Sequence, residues 1–561
     1  MSAAERAELF AQAERWLAED PDPETRAELA ELIAEAAEGE VALAVLRERF
    51  AGTLSFGTAG LRGALAAGPT RMNRVVVARA AAGLSAYLNA RPLDERPSLV
   101  IGYDGRKNSR IFALDSAEIA AGAGLNVILL PRALPTPVLA FAVRYFGVSA
   151  GVMVTASHNP PADNGYKVYL GDADAGSQII SPVDAEIAGH IRAVAAAGPV
   201  GDLPRSTEYH TADDAVLEEY VRATAALIGE APVHPEVPLN VVYTAMHGVG
   251  WETFSRVLPA AGFPVPEVVP AQRDPDPAFP TVDFPNPEED GALELSYRRA
   301  REVGADLIIA NDPDADRCSI AIPDPTRPEG YLQLTGNQIG LLLGWEAARG
   351  AGGTGTLACT IVSSPALGTV AAHYGLDFVE TLTGFKWVSR VPGLIFGYEE
   401  AIGYLVNPQT VRDKDGISAG LAFLALASRA RRAGKTVHDL LAEFTRLFGY
   451  FASDQVAIRV SDTAKIPRLM AALRAAPPTE FAGSAVTGVT DMLRPAGGGP
   501  GTDALRFSLA DGSRLMARPS GTEPKIKFYL DVQAPAERAA EADIRLAELR
   551  TAVGELVAAL G

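Results

Sequence analysis

Residues 150–167 read AGVMVTASHNPPADNGYK. The opening run is apolar without a polar alternation, which is the composition of a strand buried on both faces, as in a parallel sheet covered by helices. The Ser/Asn/Pro turn that follows ends the strand. A loop at the carboxyl end of such a strand is the functional edge of an open α/β sheet. Ser157 lies on that loop, with His158 beside it and Lys167 close behind. A serine hydroxyl acts as a nucleophile only where nearby groups take its proton and bear the charge it acquires, and basic neighbours supply both. On these residues alone, an ordinary turn with capping side chains stays open.

The same grammar extends in both directions. SLVIGYD (98–104) and LNVILLP (125–131) are further short apolar runs separated by helical stretches, so an alternating α/β domain is expected over 51–208. Before it, residues 1–50 carry Ala, Glu, Arg and Leu at helical spacing, broken at Pro21 and Pro23, a helical lead-in. A second α/β domain is expected over 209–325, with strands in LNVVYTAMHGVG (239–250) and DLIIANDPDADR (306–317), and a third over 326–450, with GTLACTIVSS (355–364), FVETLTGFKWV (378–388) and LIFGYEEAIGYLV (394–406). From 451 to 561 the pattern changes to alternating apolar and polar residues around a Gly/Pro-rich loop at 495–502, as in an antiparallel sheet with flanking helices. The fold class is therefore α/β: three similar mixed α/β domains plus a smaller C-terminal α+β domain.

Size and charge agree with this division. The chain has 561 residues, and domains run to about 100–200 residues each. A net charge of −19 repels nucleic acid and anionic lipid, so an anionic ligand needs a local basic cluster. No apolar run approaches the ~20 residues of a membrane helix, and the charged N-terminal helix does not read as a signal peptide. Cys318 and Cys359 are too few for a disulfide framework. A cytoplasmic protein, monomer or homodimer, without nucleic-acid or membrane partners, is expected.

NDPDADR (311–317) places Asp312, Asp314 and Asp316 at alternate positions just after an apolar strand. Three carboxylates on a tight loop can converge on a hard cation and leave coordination sites for phosphate oxygens, as Mg²⁺ prefers. An EF-hand reading is weaker, since a strand leads in and no glutamate stands at the closing twelfth position. An acidic turn capped by Arg317 is the plainer alternative. RPSGTEPKIKFY (518–529) offers Arg518, Ser520, Gly521 and Thr522, a guanidinium, hydroxyls and a glycine that lets backbone amides approach, which suits a phosphate. FGTAGLRGAL (56–65) contributes Arg62, and GYEEAIGY (397–404) the adjacent Glu399 and Glu400. His247 and Lys386 are single signals for which a structural or surface role is the default.

Taken together, in this order and at domain-like intervals from about Ser55 to Tyr529, these segments resemble the α-D-phosphohexomutase family of phosphoglucomutases and phosphomannomutases. The lead-in, GTAGLR and EEAIGY look most like its long phosphoglucomutase/phosphopentomutase-like subgroup. One departure is Ala401, where many members have serine after the second glutamate.

The resemblance implies a four-domain cleft and a mutase that interconverts sugar 1-phosphate and 6-phosphate through a phosphoserine and a sugar bisphosphate. Glucose is the first expectation for the sugar, mannose and pentose the alternatives. It makes Ser157 the phosphoserine and, with Asp312, Asp314 and Asp316, a ligand of Mg²⁺, with Arg62, His158, Lys167 and Arg317 around the transfer site. Lys386, Glu399 and Glu400 would meet the sugar, and Arg518, Ser520, Gly521 and Thr522 the phosphate that stays. Lys167 is the candidate base, which requires a lowered pKa from cationic neighbours. A phosphatase using the same serine is the rival enzyme reading, and the separate phosphate cradle argues against it. A catalytically silent sugar-phosphate sensor is the other, against which stand Ser157 and the three aspartates.

Overall fold

The computed structural model describes residues 1–92, 95–229, 238–459, 465–494, 498, 500–519 and 525–560. The chain divides into two compact units, Met1–Leu334 with Gly403–Ser428, and Thr335–Ile402 with Arg429–Gly561.

The first unit opens with helices Ala3–Glu19, Pro23–Glu38 and Glu40–Arg49. Ser2 and Glu5 form a capping box on the first, and Asp22 caps the second ahead of a proline at its first turn. Their apolar faces, including Trp16, Leu29 and Leu46, pack with Val75 and Ala78 of the helix Arg74–Ala90.

Two sheets follow. In the first, strand order is Leu61–Ala64, Asp163–Leu170, Ala150–Val154, Ser98–Tyr103, Asn126–Leu129 and His210–Thr211. Ala150–Val154, Ser98–Tyr103 and Asn126–Leu129 run parallel, and every residue of Ala150–Val154 is buried. Leu61–Ala64 joins antiparallel to Asp163–Leu170 with Leu61 opposite Tyr166. Gly60 turns into it at φ 75°, and a Cβ there would lie 1.8 Å from the Tyr166 carbonyl oxygen, so only glycine allows the approach.

The second sheet is ordered Tyr331–Gln333, Cys318–Pro323, Leu307–Asn311, Val241–Thr244 and Glu267–Val268. Leu307–Asn311 is parallel to Val241–Thr244 and antiparallel to Cys318–Pro323, so the acidic loop 312–317 is the turn between two buried strands. Gly403–Ser428 returns to this unit. Gly403 bridges Arg317, Tyr220 donates to Asp415 at 2.9 Å, and Gly416 lies so close to the Arg317 carbonyl that a Cβ would sit 2.1 Å from its oxygen.

In the second unit Thr356–Thr360 runs parallel to both Asp377–Thr381 and Leu394–Glu399. Helix Gly336–Gly350, capped by Thr335 and Gln338, covers this layer. The remaining sheet is wholly antiparallel, ordered Tyr450–Arg459, Lys525–Ala534, Arg514–Pro519, Leu505–Leu509, Ser484–Asp491 and Glu480–Phe481. The alternation seen in its sequence becomes the inward face, with Leu515, Ala517, Ile526, Phe528 and Leu530 buried. Among the described residues no helix is long and apolar enough to cross a membrane.

Candidate active site

Ser157, His158, Lys167, Arg62, Asp312, Asp314, Asp316 and Arg317 come together in the first unit, at the carboxyl ends of strands Ala150–Val154 and Leu307–Asn311. Ser157 adopts a left-handed backbone at φ 53°, uncommon for a residue with a Cβ, and Thr155 Oγ1 accepts from its amide at 2.8 Å. Its Oγ donates to Asp312 Oδ2 at 3.0 Å and lies 3.3 Å from His158 Nδ1. The side chain is 3% exposed. Arg106 holds the loop from behind: its guanidinium donates to the carbonyls of Ser157, Asn159, Pro160 and Asp163. Arg62 donates to Asn159 Oδ1 at 3.0 Å, and Asn159 donates to Asp163 at 2.9 Å.

The acidic loop is equally constrained. Ala315 is left-handed at φ 54°, and the Arg317 amide donates to Asp312 Oδ1 at 3.0 Å. Thr136 donates through Oγ1 to Asp314 Oδ2 at 2.6 Å. The His247 loop braces the outside, where the Val249 amide donates to the Pro313 carbonyl at 2.9 Å and His247 Nε2 meets Thr281 Oγ1 at 2.8 Å. His247 is thus a buried framework residue, as its sequence context suggested.

Electrostatics here follow from three acids and two ammonium groups in one buried space. Lys167 Nζ pairs with Asp314 Oδ2 at 2.7 Å and Asp316 Oδ2 at 2.9 Å, and Lys414 Nζ pairs with Asp316 Oδ2 at 3.0 Å. Burial pushes Asp312 well above the usual carboxylate range, and the charges of Asp314 and Asp316 push it further. Asp314 and Asp316 go the other way, because the attraction of Lys167, joined by Lys414 for Asp316, outweighs burial and repulsion. Burial alone would lower the Lys167 ammonium, yet Asp314 and Asp316 raise it. The lowered pKa expected of Lys167 is therefore not what its surroundings produce; its carboxylate neighbours outweigh Lys414. His158 is held neutral, first by burial and then by Arg317 and Arg62.

The triad fits a divalent cation. One carboxylate oxygen from each residue lies within 4.8 Å of those of the other two, and all three residues are buried. Asp314 Oδ1 and Asp316 Oδ1 are buried and accept no hydrogen bond. Unsatisfied anionic oxygens in the interior are costly unless a cation meets them. An all-oxygen donor set suits Mg²⁺.

The second unit brings together Glu399, Glu400 and Arg518. Glu400 accepts from Thr360 Oγ1 and from Ser363 Oγ, both at 3.2 Å, and Ile402 turns the loop at φ 51°. Arg518 lies opposite Lys527, two residues along the strand pair from Met516 opposite Tyr529, so all four face one way. Burial and the Glu400 charge push the Tyr529 phenol up, while Arg518 opposes them through a hydrogen bond and its charge. On the same face Arg514 donates to Glu380 at 2.9 Å, to Asp531 at 2.7 Å and to the Ser363 carbonyl at 2.7 Å, joining this strand to the serine that holds Glu400. Lys386 stands on the short helix Phe385–Val388, after Gly384 at φ 105°. Ser520, Gly521 and Thr522 lie outside the described residues.

Lys414, Arg106, Thr136 and Tyr529 were not singled out from sequence. Lys414 had a signal, its place in the charged RDKDG segment (412–416) before a helix; Arg106 sits in an unremarkable GRKNS turn.

The chain matches, in order, Phosphoglucomutase/phosphomannomutase alpha/beta/alpha domain I over 53–197, domain II over 218–325, domain III over 335–448 and the C-terminal domain over 456–549. It is 53% identical to "Probable phosphomannomutase" of Haemophilus influenzae (strain ATCC 51907 / DSM 11121 / KW20 / Rd), covering 87% of this chain and 98% of that protein. It is 34% identical to "Phosphopentomutase" of Homo sapiens, with 95% and 92% covered, and 33% identical to "Phosphoglucomutase" of Staphylococcus aureus (strain MRSA252), with 87% and 91% covered. In structure it resembles the Paramecium phosphoprotein pp63/parafusin, a phosphoglucomutase, at a TM-score of 0.68 and 19% identity over 90% of this chain and 95% of that one. The chain belongs to the phosphoglucomutase/phosphomannomutase family, the α-D-phosphohexomutases. Within that class it is a phosphosugar mutase, an isomerase that acts by moving a phosphoryl group.

Proposed function

We propose that the chain interconverts glucose 1-phosphate and glucose 6-phosphate, with Ser157 as the covalent carrier of the phosphoryl group. The observation that carries this reading is Ser157 Oγ, buried, with Asp312 Oδ2 at 3.0 Å and His158 Nδ1 at 3.3 Å. In the cycle, the bond from phosphorus to Ser157 Oγ breaks as one forms to the free hydroxyl of the sugar monophosphate, and the hydroxyl proton passes to Lys167. The bisphosphate then turns end for end, its other phosphoryl group returns to Ser157, and the isomeric monophosphate leaves. Asp312, Asp314, Asp316 and an oxygen at Ser157 would hold Mg²⁺, which would supply neutralisation of phosphoryl charge; Lys167 can take the hydroxyl proton only in its neutral form, as the base role assigned to it requires.

Arg62, His158 and Arg317 act on the transferring group. Lys386, Glu399 and Glu400 take the sugar hydroxyls, and Arg518, with Ser520, Gly521 and Thr522, takes the phosphate that stays. A cytoplasmic setting, as monomer or homodimer, with sugar 1,6-bisphosphate as activator, belongs to the same reading. The name of the 53% identical relative favours mannose as a second substrate. Side-by-side isomerisation of glucose 1-phosphate, mannose 1-phosphate and ribose 1-phosphate distinguishes them, glucose being expected fastest. Intact mass should show a phosphate adduct on wild type that Ser157→Ala lacks, with multiple turnover abolished; an active Ser157→Ala enzyme overturns the mechanism.

A further inference from the structure

Between the 3-10 turn Pro270–Gln272 and the helix Glu294–Val303 the chain forms neither helix nor strand. A connection beyond about 12–15 residues with no regular structure is uncommon in a compact domain and, where ordered, generally functional. Its contacts fall on groups of the serine site. Phe279 lies against the Arg106 guanidinium, 5.0 Å from ring centroid to carbon, and Arg106 is the residue that pins the Ser157 loop. The Phe284 ring stands 6.1 Å from the His158 ring, tilted at 60°. Glu288 pairs with Arg317 at 3.7 Å. Thr281 ties the middle of the segment to Gln272 at 2.9 Å and to His247 at 2.8 Å.

We infer that this strap, with Phe284 as its principal positioning residue, keeps water from the phosphoryl group on Ser157, so that a sugar hydroxyl and not water receives it. The inference rests on the proposed role of Ser157. A seryl phosphate is open to attack by water wherever water can reach it. The bond from phosphorus to Oγ would break, one from phosphorus to the water oxygen would form, and the water proton would pass to Oγ, giving free serine and inorganic phosphate. What separates a mutase from a phosphatase at such a site is the cover over it, since closure excludes competing hydrolysis. Ser157 itself is buried, whereas His158 is only partly so, and the aromatic ring packed against His158 comes from the strap. The strap touches the loop's anchor, its imidazole and its flanking arginine in turn, which is the arrangement a cover needs.

The test uses full-length enzyme loaded with glucose 1,6-bisphosphate, freed of sugar and followed in buffer by intact mass and inorganic phosphate release. Phe284→Ala should lose its phosphate adduct at least tenfold faster than wild type, the factor that ~1.4 kcal/mol represents. Its KM for the sugar monophosphate should be unchanged, which a general loosening of the site would not spare. Glu288→Gln, which releases the strap from Arg317 without touching the core, should shorten the adduct's life by a smaller factor at an unchanged unfolding midpoint. It decides the matter should the alanine variant fail to fold. An adduct as long-lived in both variants as in wild type overturns the inference while leaving the mutase reading intact. No adduct on loaded wild type overturns that reading, and the strap's role with it.

Discussion

The serine loop at 155–162 and the glutamate loop at 399–402 each turn through a left-handed residue, Ser157 at φ 53° and Ile402 at φ 51°, yet they are held differently. Around Ser157, a buried arginine grips four backbone carbonyls, and the facing aspartates are fully buried and matched to two lysines. Around Glu400, hydroxyls of Thr360 and Ser363 accept the task of orientation, and both glutamates stay partly open to solvent. Phosphoryl transfer asks the same of the protein whichever hydroxyl attacks, so its groups can be fixed in a low-dielectric interior where their fields are strongest. A sugar that must be bound in two orientations asks for groups that remain accessible. The contrast predicts steep, binding-independent losses in the first region and graded, binding-dominated losses in the second.

The largest effect should come from Asp314→Asn. Asp314 receives Lys167 and Thr136 on one oxygen and leaves the other without a hydrogen bond. The change removes one negative charge from a site that fits a hard cation and leaves a buried amide among charges. Changes to outer partners of metal ligands cost about 10–100-fold, and a direct ligand should cost at least the upper end, in kcat with little change in KM. Calcium should restore the variant no better than magnesium, because its longer, looser coordination displaces phosphoryl oxygens. Equal rates with Ca²⁺ and Mg²⁺ in the wild type would break the contrast at its stronger end.

These two regions were also not equally readable. Ser157, the three aspartates and Arg317 are legible because each group lies within one short loop at the end of an apolar strand, so the chemistry is local in sequence. The alternation in Arg514–Pro519 and Lys525–Ala534 was legible as an antiparallel sheet for the same reason, since period two is a local property. Lys414 was not, because its meaning is a 3.0 Å contact with Asp316 made by a segment that returns to the first unit after the third run of strands. Nor was the protonation of Lys167, since its partners Asp314 and Asp316 lie across another sheet. The Glu400 support shows the same limit: Ser363 is an ordinary residue until Arg514, far along the chain, is seen donating to its carbonyl.

A sharper test of the second region is Arg518→Ala. The strand register sets Arg518 beside Tyr529, and the phenol lies between it and Glu400, linking the proposed phosphate cradle to the proposed sugar loop. A hydrogen bond to a charged group contributes about 1.5–3 kcal/mol. KM for the sugar monophosphate should therefore rise at least about tenfold. The Ser157 adduct should persist, and more free bisphosphate should escape per turnover. Steady-state kinetics with intact mass reads all three. A normal KM with no escaped bisphosphate would make this loop a structural turn and remove the binding half of the comparison.

The smallest effect concerns His158 and asks whether burial in the first region does what its geometry implies. Burial first, then Arg317 and Arg62, depress the imidazole well below its ordinary value of 6.5, against the weaker opposing pull of Asp316. In the unfolded chain the ring titrates near 6.5, so below that pH the unfolded state binds a proton that the folded state refuses, and stability falls as pH falls. The slope from one such group is at most about 1.4 kcal/mol per pH unit. In His158→Gln this contribution is absent. The stability of wild type relative to that variant, measured by urea unfolding, should be constant above pH 7 and decline progressively from about pH 6.5 downward. A difference that stays flat, or grows in favour of wild type on acidification, would mean that the folded protein accepts the proton. The imidazole beside Ser157 would then take up a proton in the folded protein at least as readily as in the unfolded chain, and the first region would be less dry than its buried aspartates indicate.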